Sequence, residues 1–279
     1  MQTLTPMSEL ISDEIKQKIS KARKSAPGDK THLQLKVEAY NELTGNLRYV
    51  NCPECKNKGY IAVIDSEGQE AMRECTCMKT RRLYHNLERS GLQGVYERYK
   101  LENFKDTEAW QAEILCKAKA YIQCVMSGCS FWLYVGGQRG SGKSHICTAV
   151  SGRLIALGKT VLFKLWQEIA SEYKAKTYKD DERRDFLHKL YSCDVLFIDD
   201  FLKCRSRNDL DYNYDLAFQI LNARYNGRKP TVISSELTIS DMAKEDSSLS
   251  GRIVEMADNG EYTLNIGSDP EKDMRVKRS

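Results

Sequence analysis

Apolar residues fall into three textures along the chain. In the first forty-five or so residues they sit at helical spacing: Leu10, Ile11, Ile15 and Ile19 on one stripe, and Leu33, Val37 and Tyr40 on a second that ends at Gly45. Pro27-Gly28, within the polar run from Lys21 to Lys30, separates the two. Two short amphipathic helices are predicted, either packed on their own region or docked on a partner, since so short a segment has little core of its own. From Cys52 to Cys77 the texture becomes that of a hairpin: Gly59-Tyr-Ile-Ala-Val-Ile64, a turn at Asp65-Ser-Glu-Gly68, and a second short strand. Lys79 to about Gly91 then reads as a basic linking helix opening with Lys79, Arg81 and Arg82. From Tyr99 onward, apolar or β-branched runs at Phe131–Val135, Val161–Lys164, Val195–Asp199, Thr231–Ser235 and Tyr262–Ile266 alternate with longer helical patterns. That alternation predicts an α/β domain, a parallel sheet with helices on both faces. The expected organisation is a helical region over 1–48, a hairpin module over 49–78, a linker helix over 79–98 and the α/β domain over 99–279.

The first of these strands leads into Gly136-Gly137-Gln138-Arg139-Gly140-Ser141-Gly142-Lys143-Ser144, which matches G-x4-G-K-[ST] from Gly137 to Ser144. A triphosphate needs several backbone N–H groups converging on its oxygens, and Gly137, Gly140 and Gly142 let the chain curl that closely. Lys143 supplies a point charge for the outer phosphates, and the Ser144 hydroxyl suits Mg2+. The helix opening at His145 turns its positive dipole end to the same phosphates. ATP and Mg2+ are therefore the expected ligands of Gly137, Gly140, Gly142, Lys143, Ser144 and His145. About fifty residues on, Asp194-Val-Leu-Phe-Ile-Asp199-Asp200 is an apolar strand ending in two carboxylates. Asp199 is placed to complete the magnesium shell with Ser144, and Asp200 to polarise an attacking water.

Cysteine usage adds a second site. The chain has 10 cysteines among 279 residues. No hydrophobic signal core opens it and no run approaches eighteen apolar residues, so a soluble cytoplasmic protein is expected, with no membrane partner. In a reducing compartment clustered cysteines read first as metal ligands. Cys52-Pro-Glu-Cys55 and Cys75-Thr-Cys77 bracket the hairpin, which brings four sulfurs together for a structural Zn2+ with no open position; four free thiols or a redox pair are the alternative. Cys116, Cys124, Cys129, Cys147, Cys193 and Cys204 show no pairing and read as small buried hydrophobes. The balance of 43 basic against 39 acidic residues, a net +4, permits nucleic-acid contact without demanding it. Lys174, Lys176 and Lys179 interleaved with Tyr173 and Tyr178 suit stacking and phosphate contact with single-stranded DNA, or else form a solvated helix face.

With these motifs the chain resembles the AAA+ ATPases, and more narrowly the replicative helicase loaders of the DnaC and DnaI type found in bacteria and phages. The resemblance rests on the phosphate loop, the Ile-Asp-Asp motif and Ala223-Arg224-Tyr225-Asn-Gly-Arg-Lys-Pro230-Thr-Val-Ile-Ser-Ser235, and covers roughly Tyr99 to the C-terminus. The Cys-Pro-x-Cys hairpin with its following Gly-Tyr is similar to the zinc module of DnaI-like loaders. The resemblance implies that Asp200 is the counterpart of the catalytic acid. It puts the first sensor near Ser235 and Glu236, where a carboxylate replaces the family's amide and cannot donate as an amide does. It makes Arg252 the counterpart of an arginine finger reaching a neighbouring subunit of a homo-oligomer, or else a surface arginine, and aligns Arg275 with a C-terminal arginine. The implied function is an ATP-dependent loader that binds a replicative DNA helicase and helps place it on single-stranded DNA. Two alternatives stand beside it: an IstB-type transposition helper, and a nucleotide-bound helicase adaptor or inhibitor that does not hydrolyse.

Overall fold

The computed structural model describes residues 4–6, 31–203 and 210–274. The stripe of Leu10, Ile11, Ile15 and Ile19, the break from Lys21 to Lys30, Cys204 and Arg275 lie outside the described residues. The chain divides into two compact units, Met1–His85 and Asn86–Ser279.

In the smaller unit, helix α1 (His32–Glu42) is opened by a capping box: Gln34 N–H donates to Thr31 Oγ1, and Thr31 N–H donates to the Gln34 side chain. The predicted stripe then packs Tyr40, with Val37 beside it, on Ala62 and Met72 of an antiparallel hairpin. That hairpin is β2 (Tyr60–Ile64) and β3 (Glu70–Glu74). Asn41 closes the outer edge of β2: its amide donates to the Ala62 carbonyl and accepts from the Ala62 N–H, both at 2.9 Å. The other edge is covered by a strand the helical reading did not foresee, β1 (Leu4–Pro6), antiparallel to β3 with Thr5 opposite Met72. Three residues are too few for a period to show. Helix α2 (Cys77–Ser90) starts on the last cysteine of the cluster, and the division between the units falls inside it. The predicted linker over 79–98 is thus not a separate element. Its later part belongs with the larger unit, where α3 (Gln93–Tyr96) seats the Tyr96 ring against Gly152; a Cβ there would come within 2.1 Å of that ring.

The larger unit continues with α4 (Ala109–Met126), β4 (Leu133–Gly137), α5 (Lys143–Ala156), β5 (Val161–Leu165), α6 (Trp166–Ala175), α7 (Asp180–Ser192) and β6 (Val195–Phe201). It ends with α8 (Leu210–Asn226), β7 (Thr231–Ser235), α9 (Ile239–Glu245), α10 (Ser247–Met256) and β8 (Thr263–Ile266). The five strands pair in parallel in the order β5-β6-β7-β4-β8. Covered on both faces, they are near-continuous apolar runs: Leu133, Tyr134 and Val135 of β4, and Val195 to Ile198 of β6, are all fully buried. This is an AAA+ fold. In such a sheet ligands bind beyond the carboxyl ends of the strands, where strand order reverses. Here that point is the end of β4, between β7 and β8.

The largest buried polar side chains of this core are paired. Trp132 Nε1 donates to the Lys229 carbonyl at 2.9 Å and Trp166 Nε1 to Asn213 Oδ1 at 2.7 Å. Arg224, wholly buried on α8, donates to Thr231 Oγ1 (2.9 Å) and to the carbonyls of Pro230 (2.6 Å), Leu190 (2.7 Å), Cys193 (3.2 Å) and Tyr191 (3.3 Å). One guanidinium therefore satisfies the orphan carbonyls at the end of α7 and ties them to the start of β7. The unpaired cysteines correct the expectation of buried hydrophobes: Cys147 is buried, Cys124, Cys129 and Cys193 are partly so, and Cys116 is exposed, because its position on α4 faces away from the sheet. Among the described residues no helix is long and apolar enough to cross a membrane.

Candidate nucleotide and metal sites

Backbone geometry explains the glycines of the loop after β4. Gly137 sits at φ +112°, and a Cβ there would lie 2.0 Å from the Ile266 carbonyl oxygen, where β4 meets β8. Gly142, at φ +85°, is the N-cap of α5, so the loop delivers the chain directly to a helix N-terminus whose first N–H groups suit an anion. The chain after β8 braces the outside of the loop: Gln138 N–H donates to the Ile266 carbonyl and Met274 N–H to the Gly140 carbonyl, each at 3.0 Å.

Lys143 is buried at the loop's base, its ammonium donating to the Gln138 carbonyl at 2.6 Å. Burial lowers its pKa, against the pull of Glu236 and Asp200. Ser144 Oγ donates to Asp199 Oδ1 at 2.8 Å, so the two residues expected to share a magnesium shell are in contact. A third residue, absent from the sequence reading, joins them: the Ser234 hydroxyl at the end of β7 donates to the same Asp199 oxygen. Burial raises the Asp199 pKa, and the two hydroxyls and the Asp200 N–H counter it only in part. A half-buried carboxylate flanked by hydroxyls is the donor set a hard divalent cation prefers. It fits Mg2+ at Ser144 and Asp199.

Asp200 lies within a register shift between Ile198 and Phe201 and sits in the left-handed region, at φ +52°. The turn carries its carboxylate away from Asp199 to Lys203, at 3.0 Å. Lys203 also reaches Glu236 at 3.0 Å, and Glu236 holds Arg139 of the loop at 2.5 Å. Arg139, Glu236, Lys203 and Asp200 thus form a chain of alternating charge beside the loop. Burial pushes the Glu236 carboxyl up, but Arg139 and Lys203 outweigh it and hold the group below its ordinary value. Ser235, named with Glu236 as the sensor position, points elsewhere: its hydroxyl donates to the Phe201 carbonyl at 2.8 Å and is fully buried. Consecutive strand residues face opposite sides, so only one of the two serines can meet Asp199.

Two other expected site residues are held differently. The His145 ring packs between Tyr99 and Phe104, with Nε2 2.9 Å from the Lys100 carbonyl, and fixes that segment on α5. Arg252 lies over the Phe218 ring at 4.4 Å and donates to Ser248 Oγ at 2.6 Å; its described partners are on α8 and α10, none on the loop. In the basic stretch after β5, Lys176 pairs with Glu172 and Lys179 with Glu182, while Tyr178 stands out in solvent.

In the smaller unit, Sγ atoms of Cys52, Cys55, Cys75 and Cys77 all lie within 4.8 Å of one another, all buried. Cys52 and Cys75 are 3.7 Å apart and Cys55 and Cys77 3.5 Å apart. A tetrahedron with Zn–S bonds of about 2.3 Å has edges of about 3.8 Å, whereas a disulfide needs about 2.05 Å. Burial pushes the Cys75 and Cys77 thiols up. Burial acts the same way on Cys55, but the Gly59 N–H and the neighbouring thiols outweigh it and bring that group to about 7. Four thiolates in one cavity need a cation, and the donor set fits Zn2+. The tight Cys75-x-Cys77 pair works because β3 ends at Glu74 and α2 begins at Cys77, so the two sulfurs flank a strand-to-helix corner.

Comparison with known proteins agrees with the fold. The protein XkdC of the phage-like element PBSX from Bacillus subtilis (strain 168) is 27% identical over 218 residues, 74% of this chain and 79% of that protein. The replicative helicase loader DnaC of Buchnera aphidicola subsp. Schizaphis graminum is 28% identical over 173 residues, 61% of this chain and 67% of that protein. A solved structure of the replication initiator DnaA bound to AMPPCP and single-stranded DNA superposes with a TM-score of 0.50 at 19% identity, covering 64% of this chain. The chain spans about half of that structure, 52% of its length. The family described as the bacterial DnaA ATPase domain matches residues 97–256, more than half of the chain. The chain belongs to the bacterial DnaA ATPase domain family, and its larger unit is an AAA+ ATPase domain.

Proposed function

We propose that this protein is an ATP-dependent loader that binds a replicative DNA helicase and helps place it on single-stranded DNA. Its similarity to proteins named replicative helicase loader supports a loader role in general. What carries the finer reading is the contact of Ser144 with Asp199 at the foot of a phosphate loop, in a chain that adds a four-cysteine module. In this reading Lys143 and the loop N–H groups hold the phosphates of ATP, and Ser144 and Asp199 hold Mg2+. Asp200, released from Lys203, accepts a proton from the attacking water. Arg252 leaves Phe218 to reach the nucleotide of a neighbouring subunit, which makes the homo-oligomer the hydrolysing form. The zinc module and the N-terminal region grip the helicase, while Tyr178 and the neighbouring lysines contact single-stranded DNA.

One observation favours a second reading, a nucleotide-bound adaptor that does not hydrolyse: both carboxylate oxygens of Glu236 are taken by cations, leaving no amide at that position. ATP turnover by the full chain, with and without single-stranded DNA and a replicative helicase, separates the two. Turnover that Lys143→Ala abolishes supports the loader, and absence of lysine-dependent turnover under every condition rejects it. Retention of the helicase by the full chain but not by a Cys52→Ser, Cys55→Ser double variant supports the division of labour.

A further inference from the structure

Arg81 of the smaller unit donates five side-chain hydrogen bonds. Only 4% exposed, it donates through Nε to Cys77 Sγ at 3.5 Å. Nη1 donates to the carbonyls of Leu47 and Arg48, and Nη2 to the Val50 carbonyl at 2.7 Å and Asn57 Oδ1 at 2.9 Å. None of these acceptors is a carboxylate. The formal negative charge among them is the cysteine cluster, and four thiolates around one Zn2+ carry a net charge of about −2. A buried cation without a counter-charge is costly, and so is a buried dianion. Each supplies what the other lacks.

The same guanidinium gathers three carbonyls from residues 47–50. That strap takes an uncommon path, with Tyr49 at φ +79°, which turns the carbonyls on either side of it toward Arg81. Asn57 completes the link: its Oδ1 accepts both from Arg81 and from the Cys52 N–H, at 2.8 Å. A cation placed by the thiolates thus becomes the donor that holds a segment with no metal ligand of its own.

We propose that Arg81 is the positioning residue of the metal centre: it offsets part of the negative charge of the zinc tetrathiolate and makes the fold of the 47–50 strap depend on the metal. This rests on the zinc reading of the four cysteines. The test uses the full chain as wild type, Arg81→Met and Arg81→Lys. Zinc content is measured directly, zinc affinity by competition with a chromophoric chelator, and order of the strap by hydrogen exchange at residues 47–50. Wild type should hold one zinc per chain with the strap protected, and chelation should release that protection. Arg81→Met should bind zinc about 10–100-fold more weakly, as loss of a partner next to a metal ligand typically does, and should exchange rapidly at 47–50 even when loaded. Arg81→Lys should recover affinity through its charge while leaving the strap exposed, since one ammonium cannot span three carbonyls. Wild-type affinity and protection in Arg81→Met overturns the proposal. Should that variant not fold, full strap protection in Arg81→Lys overturns it equally. Absence of zinc from the wild type defeats the metal reading itself, and this proposal with it.

Discussion

Arg224→Met tests whether the buried guanidinium holds the larger unit together. The substitution keeps a long unbranched side chain but removes the donors to Leu190, Tyr191, Cys193 and Pro230. Of these the Leu190 and Pro230 carbonyls, at 2.7 and 2.6 Å, are the shortest contacts, and Leu190 is fully buried. A buried acceptor left without a donor costs about 1–3 kcal/mol, and hydrogen bonds to charged groups are at the strong end of that range. Against this stands the desolvation of the guanidinium, visible as a pKa lowered by burial, which the variant no longer bears. The balance is a loss of about 3 kcal/mol, well within the 5–15 kcal/mol total of an ordinary domain. At about 2–4 °C per kcal/mol for a unit of this size, its thermal midpoint should fall by about 6–12 °C. Arg224→Lys, with three donors on one point, should recover about 1 kcal/mol. Thermal and urea unfolding followed by circular dichroism read both. Because the contacts sit at the start of β7, opposite the phosphate loop, nucleotide affinity of the still-folded variant should stay at the wild-type value. A midpoint within 1 °C of wild type for Arg224→Met would refute the reasoning.

Asp199→Asn should stabilise the nucleotide-free chain and abolish magnesium-dependent ATP binding. The folded carboxyl has a raised pKa, so the folded state favours the protonated form, and its contribution is lost as pH rises through the folded value. The gain in melting temperature should therefore be larger at pH 8 than below the ordinary aspartate value of 3.8, and an equal gain at both would contradict the assignment. Gly137→Ala sets a Cβ 2.0 Å from the Ile266 carbonyl in a left-handed conformation, and should cost more than about 2 kcal/mol in urea unfolding while eliminating binding of a fluorescent ATP analogue. On the zinc reading of the four cysteines, a strong chelator should unfold the hairpin module while the larger unit keeps its own transition, because binding energy of a structural zinc is folding energy; a single unchanged transition would contradict this.

Most of the sheet could be read from the chain because its strands are apolar on both faces and punctuated by glycines and carboxylates, as at Thr231–Ser235, where expected and observed bounds coincide. The phosphate loop was equally legible, since its glycines answer to backbone angles that few other residues accept. Ser234 was not. A strand buried on both faces has no alternation, so nothing in the letters tells which of two adjacent serines meets Asp199. The register shift after Ile198 adds a second unknown, since a bulge leaves no compositional trace when its residues are aspartates that also suit a strand end. The division inside α2 is hidden for a different reason: hydrogen bonding within a helix is continuous whether or not its two ends serve different cores. The exposure of Cys116 shows the limit of composition, because residue type predicts burial only on average.

The strand order has a consequence for how the protein comes into being. Phosphate loop and Asp199 end β4 and β6, yet these strands are not neighbours; β7 lies between them and brings Ser234 to the shared oxygen. During synthesis β4, β5 and β6 leave the ribosome first, and β4 and β6 must stay unpaired with each other until residue 235 is free to slot in. The nascent chain therefore carries every letter of the phosphate loop for about ninety residues before Ser234 reaches the Asp199 oxygen, and the site is assembled only when the fold is nearly complete.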